Sequence, residues 1–208
     1  MLHNLTKPHF LYCEEMDASF RTFVQPRNEL CNALEHIVRS KANELGLREG
    51  EAPDEKYLEE NLNRAVGHEY RAFFDISDWL SVKLREKIRI TLEPYTPTVI
   101  NTAVPDYYRE VRPQLEQIIL EIAAIRGAKD IAVKGDILGE VERYNAVLER
   151  LKAFVARLPA CVPALEELKQ KEADTARRAQ VWDVLKIVIA ALLAAGLAWY
   201  ARGFLAGG

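Results

Sequence analysis

The sequence predicts an all-α protein, a cytoplasmic helical bundle followed by a single C-terminal transmembrane helix. Three observations lead there. Between glycine and proline punctuators the apolar residues recur at intervals of three and four, the spacing of one helix face. An uncharged run, Ile187 to Ala201, lies near the end of the chain. The stretch Lys169 to Gln180 before it holds no large apolar residue, only Ala173, Ala176 and Ala179, as expected of a solvated stalk or of a helix packing on its own copies through alanine. The expected divisions are a bundle over 1–162, a stalk over 163–183 and a membrane helix over 184–205.

In chain order, a first helix is expected from near Phe10 to Val24, and Pro26 opens a second that ends at Gly46. Gly46 to Pro53 reads as a polar loop. Asp54 is placed to cap a long helix whose first turn is rich in Glu, which suits the helix dipole. Its core face reads Leu62, Ala65, Val66, Phe73, Ile76, Leu80, Leu84 and Ile88, and it should stop before Pro94. Pro94 to Pro105, with Pro97 inside it, predicts an extended crossover. The next helix starts near Pro113, carries Leu115, Ile118, Ile119, Ile122 and Ile125, and ends around Gly127. Another shows Leu138, Val141, Leu148, Leu151, Val155 and Leu158 at nearly heptad spacing and should end at Pro159. From Pro163 a last helix is free to run into the membrane.

The uncharged run has only 15 residues, fewer than the roughly 20 that a bilayer demands. Its flanks lengthen it, because Lys186 can snorkel toward the headgroups and Phe204 and Leu205 continue past Arg202. Trp182 on one side and Trp199 with Tyr200 on the other fall about 25 Å apart at the helical rise, like interfacial aromatic belts. The alternative is a buried core helix. Lys169, Lys171, Arg177, Arg178 and Lys186 precede the run and Arg202 alone follows it, which keeps the large N-terminal part in the cytoplasm of a single-pass inner-membrane protein. Met1 to Lys7 is followed by Pro8, His9 and an acidic run, so no cleaved leader is expected. Cys13, Cys31 and Cys161 have no paired spacing and fit a reducing compartment, with neither a disulfide framework nor a zinc site.

A net charge of −3 over 208 residues excludes nucleic-acid binding through bulk positive charge. Any anionic partner needs a local cluster or arginines pooled by several copies. One internal repeat offers such a cluster: Ala33-Leu-Glu-His36-Ile-Val-Arg39-Ser40 and Ala65-Val-Gly-His68-Glu-Tyr-Arg71-Ala72, thirty-two residues apart. Each copy puts His and Arg at i and i+3, on one helix face. Asn32 joins that face in the first copy, and Arg64, Asp75 and Asp78 extend it in the second. Two helices joined by a short loop pack antiparallel, which brings the stripes together. One interpretation is an internal ion-pair network, with Arg39 or Arg71 on Asp75 or Asp78. Another is a phosphate-binding pocket of His36, Arg39, Arg64, His68 and Arg71. A third is catalysis, since Arg64-Ala-Val-Gly-His68 resembles the Arg and His of HEPN-like helical RNases, with one residue too few between them. Nothing else suggests an enzyme: there is no phosphate-cradling glycine loop, no second His of a zincin after His68-Glu69, and no Gly-x-Ser-x-Gly. No cofactor is expected.

Within the run, Ala190, Ala194 and Ala198 repeat every four residues, and Ala191 with Ala195 makes a parallel row beside Gly196. Small residues at this spacing let helices approach closely, with Lys186 and Arg202 at the two mouths of whatever the helices enclose. The layout of a helical sensor followed by Ile187 to Ala201 resembles the small membrane effectors of bacterial anti-phage defence, and among them the Hailong-type channel effectors, held shut by a short DNA oligomer. That resemblance implies a homo-oligomeric channel of roughly tetrameric kind in membrane lipid. It also implies a nucleotide or short single-stranded nucleic acid as ligand, and a cognate enzyme that makes it. The competing expectation is a tail-anchored adaptor that holds a partner protein at the membrane.

Overall fold

The computed structural model describes residues 2–17, 23–47, 52–128 and 136–206, with side chains described to 127 in the third segment and to 197 in the last. It is all-α, 91% helical, with no strand among the described residues. The helices are α1 (His3–Met16), α2 (Val24–Glu44), α3 (Glu55–Leu92), α4 (Pro97–Ala103), a π-helical turn (Tyr107–Val111) leading into α5 (Arg112–Ala128), and α6 (Ile137–Ala206). The chain divides into two compact units, one of residues 1–94 with 106–159 and one of residues 95–105 with 160–208.

In the first unit α2 and α3 form the antiparallel pair that the short connection implied. Asp54 caps α3 by accepting from the Lys56 amide at 2.9 Å. Gly46, at φ 67°, ends the turn after α2, and the Leu47 amide reaches back to the Ala42 carbonyl, as glycine-terminated helices commonly do. The buried side chain of Asn43 ties the two ends together, donating to the Asp54 carbonyl at 2.8 Å and accepting from its amide at 3.2 Å. Pro26 sits in the first turn of α2, where its missing N–H has no partner to lose.

The core is aromatic and aliphatic. Phe73, Phe74, Ile76, Leu80 and Leu84 of α3 and Val141, Tyr144, Leu148 and Leu151 of α6 are fully buried. Polar groups inside it are matched. Tyr70 donates to Glu140 at 2.7 Å; Tyr144 donates to Asp78 at 2.6 Å, and Arg126 pairs with the other oxygen of that carboxylate at 3.3 Å. Burial, and then the Asp78 carboxylate, raise the Tyr144 pKa, so the phenol stays a donor.

Four expectations need correction. The first helix starts at His3 and ends at Met16, because Pro8 lies inside it rather than before it and the backbone turns extended at Asp17. Pro94 to Pro105 is not an extended crossover: Thr96 caps α4 and Pro97 occupies its first turn, where proline's fixed φ suits a helix. No helix ends at Pro159 and none begins at Pro163; α6 runs through both as one 70-residue helix. Each ring leaves a carbonyl four residues back, Val155 or Pro159, without its helical donor, a loss the surrounding turns absorb. Leu62 and Val66 lie outside the core, 44% and 47% exposed, because the inward face of α3 at that level is Asn61 and Ala65.

In the second unit, Tyr95 donates to Glu166 at 2.6 Å, Thr96 donates to Glu172 at 3.0 Å, and the Lys169 ammonium stands 5.3 Å from the centre of the Tyr95 ring. Beyond Asp174 every described side chain of α6 is exposed. α6 contains the one helical stretch, among the described residues, that is long and apolar enough to cross a membrane, and none of its most apolar window is buried.

Candidate functional site

The two repeat copies meet. α2 descends as α3 rises, so His36 stands opposite Asn61 and His68, and Glu29 opposite His68 and Arg71. The imidazoles of His36 and His68 stack, with centroids 5.3 Å apart and planes 18° from parallel. His36 Nδ1 lies 2.8 Å from Asn61 Oδ1, so it carries the proton and donates. Glu29 accepts from His68 Nδ1 at 2.7 Å and from Arg71 Nε at 2.9 Å on one carboxylate oxygen. Arg71 Nη2 also lies 2.7 Å from His68 Nδ1. One nitrogen cannot both donate to a carboxylate and accept from a guanidinium, and the charge on Glu29 decides for donation. Both rings therefore keep Nε2 without a protein partner among the described residues.

Burial alone would raise the Glu29 pKa, but the hydrogen bonds and charges of His68 and Arg71 outweigh it and hold the carboxyl below the ordinary carboxylate range. Glu29 is thus an anion locked between two cationic or donor groups. Its side chain is 11% exposed, against 18% for His68 and 47% for Arg71, so the carboxylate is the inner member and the guanidinium the outer one.

The structure brings together His36, His68 and Arg71 of the expected residues. Of the other two arginines, Arg39 pairs with Glu35 one turn back on α2, and Arg64 is exposed. The ion-pair partners also differ from expectation. Arg71 takes Glu29, while Asp78 takes Tyr144 and Arg126. Glu29 and Asn61 were not anticipated. Their signal is present all the same, since each lies seven residues before the histidine of its own repeat copy, two turns along the same face.

On α6, Lys186 pairs with Asp183 at 3.0 Å, directed away from the apolar run. Ala190 and Ala194 are exposed. The side chains of Ala198 and Arg202 lie outside the described residues. Among the described residues no group of His, Cys, Asp and Glu is arranged to hold a metal ion. No protein-family model, curated protein sequence or solved structure matches this chain.

Proposed function

We propose that this chain is an oligomeric single-span membrane effector, an ion channel or depolarising pore whose cytoplasmic helical part takes an anionic ligand. The observation that carries this reading is the exposure of the last part of α6. Ile187, Leu192, Leu193 and Leu197 are 69%, 68%, 64% and 70% exposed, with Val184, Leu185, Val188 and Ile189 beside them. Leaving one such side chain in water forgoes about 1.5–3 kcal/mol, so lipid or sister helices must cover the run. Lipid suits the leucine faces, and the Ala190 and Ala194 row suits close helix contact. A single span conducts only as an oligomer.

A nucleotide or short nucleic acid at His36, Arg39, Arg64, His68 and Arg71 would exchange one anion for another, since Glu29 and Glu35 already occupy Arg71 and Arg39. Its binding would loosen the α2–α3 contact, which supplies the differential affinity that gating requires. The decisive experiment expresses the chain in bacteria with a membrane-potential dye. The effector depolarises cells, and deletion from Lys186 onward abolishes this; an adaptor leaves the potential unchanged in both forms.

A second reading is favoured by one contact. Glu29 on His68 Nδ1 fixes the tautomer and leaves Nε2 basic, the arrangement of a carboxylate-oriented general base, with Arg71 beside it to meet a phosphate. On that reading the protein is a membrane-tethered RNase, and His68→Ala abolishes RNA cleavage without changing the oligomeric state.

A further inference from the structure

The two stacked imidazoles differ in what holds them. Each is fixed through Nδ1: His36 donates to the neutral amide oxygen of Asn61 at 2.8 Å, and His68 donates to the Glu29 carboxylate at 2.7 Å. Each keeps Nε2 without a protein partner among the described residues. Both reach the surface, His36 half-buried and His68 with 18% of its side chain exposed. The rings lie 5.3 Å apart, close enough for two oxygens on one phosphorus to meet one ring each. Arg71 commits Nε to Glu29 and holds Nη2 beside His68, which leaves the donors of Nη1 free among the described residues.

We infer that His36 is the general acid to the His68 base, and that the pair cleaves single-stranded RNA through attack of the neighbouring 2′-hydroxyl on phosphorus. The inference rests on the ribonuclease reading above, in which only His68 and Arg71 have roles. The Nδ1 partners divide the work. A carboxylate stabilises the imidazolium that forms as Nε2 takes a proton, whereas an amide oxygen orients its ring without adding negative charge, so His68 takes the proton and His36 gives one. The 2′-oxygen bonds to phosphorus as its proton passes to His68 Nε2. The bond from phosphorus to the 5′-oxygen breaks, that oxygen keeps the electron pair, and it receives the proton of His36 Nε2. Arg71 Nη1 donates to a non-bridging oxygen as negative charge builds there. The products are a 2′,3′-cyclic phosphate and a 5′-hydroxyl; nothing is oxidised or reduced, and a proton returned from His68 to His36 through solvent resets the pair. The internal hydroxyl arrives with an effective molarity of roughly 10⁵–10⁸ M and each proton transfer adds roughly 10²–10⁴-fold, so two imidazoles and a guanidinium suffice. A duplex holds the 2′-hydroxyl out of line with the bond to be broken, which selects single strands.

The test uses the full-length protein purified in detergent, an end-labelled single-stranded RNA oligomer, and the same oligomer built from 2′-deoxyribose. The RNA alone should be cut, with a bell-shaped pH profile and a 2′,3′-cyclic phosphate identified by mass spectrometry. His36→Ala and His68→Ala should each lower kcat by about a hundredfold or more with unchanged helicity by circular dichroism. An RNA in which sulfur replaces the scissile 5′-oxygen separates the two roles, because a thiolate departs without a proton. On that substrate His36→Ala should recover to within about tenfold of the wild type and lose the alkaline limb of its profile, while His68→Ala stays slow. Recovery also shows that the His36→Ala protein is folded. If both variants fail equally on the sulfur substrate, or if His36→Ala cuts ordinary RNA at the wild-type rate, the acid role of His36 is overturned and the ribonuclease reading stands. Wild-type protein that cuts no RNA overturns both, and equal cutting of the deoxyribose oligomer overturns attack by the 2′-hydroxyl.

Discussion

Glu29 decides what the histidine pair can do. Because it accepts from both Arg71 and His68 from inside, Glu29→Ala leaves a guanidinium and an imidazole facing each other without an acceptor. A loss of about 1–2 kcal/mol is expected, kept modest by the exposure of Arg71, and thermal unfolding in detergent measures it. The same substitution should strengthen binding of a short anionic oligomer with a steep salt dependence, since the competing carboxylate is gone. Acid acts on two groups in sequence. His9 is buried, and burial, followed by the nearby Lys152 charge, lowers its pKa from 6.5 to about 4. The unfolded chain takes up that proton first, so the contribution is complete above pH 6.5 and is lost as pH falls through about 4. The loss amounts to roughly 3 kcal/mol at most, at about 1.4 kcal/mol per pKa unit. His9→Gln should flatten the stability profile across that window. Glu29, with its lowered pKa, stabilises above the ordinary carboxylate range and ceases to do so as pH falls through its native value. Glu29→Ala should therefore remove acid sensitivity at lower pH than His9→Gln does.

At the level of elements, α4 hangs on Thr96, whose hydroxyl accepts from the Val99 amide at 3.3 Å and donates to Glu172. Thr96→Ala should cost about 1 kcal/mol and speed hydrogen exchange at Val99 first, read by mass spectrometry. This helix also marks where sequence reasoning stopped. Asp54 and Gly46 announce the ends of α3 and α2 because a cap and a left-handed glycine are local chemistry. Pro97, Pro159 and Pro163 look like breakers, and proline alone does not tell a first turn from an interior one; the context that separates them is a cap at Thr96 in one case and no capping residue before the ring in the others. The meeting of His36 and His68 was legible from the repeat and the short connection. Glu29 and Asn61 were not, since a lone acid or amide two turns back on a polar face resembles ordinary solvated surface until the partner helix is in place. Leu62 and Val66 follow the helical period yet stay outside, because periodicity names a face and only packing says how far the cover extends.

For the whole molecule, the exposed end of α6 makes a partition prediction. Full-length protein should remain in the membrane fraction after alkaline carbonate extraction, and Leu192→Lys with Leu193→Lys should release it, both followed by immunoblot. The deep face of α1 has a different bearing. Its fully buried side chains, Thr6, His9 and Cys13, bring little apolar area to the contact with α3, and of their hydrogen bonds those of His9 and Cys13 reach α3 at 3.4 Å and 3.9 Å while that of Thr6 stays within its own helix. The bundle therefore has an ordered way of opening: its N-terminal helix is the first to let go, and Cys13, shielded from thiol reagents while the helix is seated, becomes labelled before any other part of the core yields.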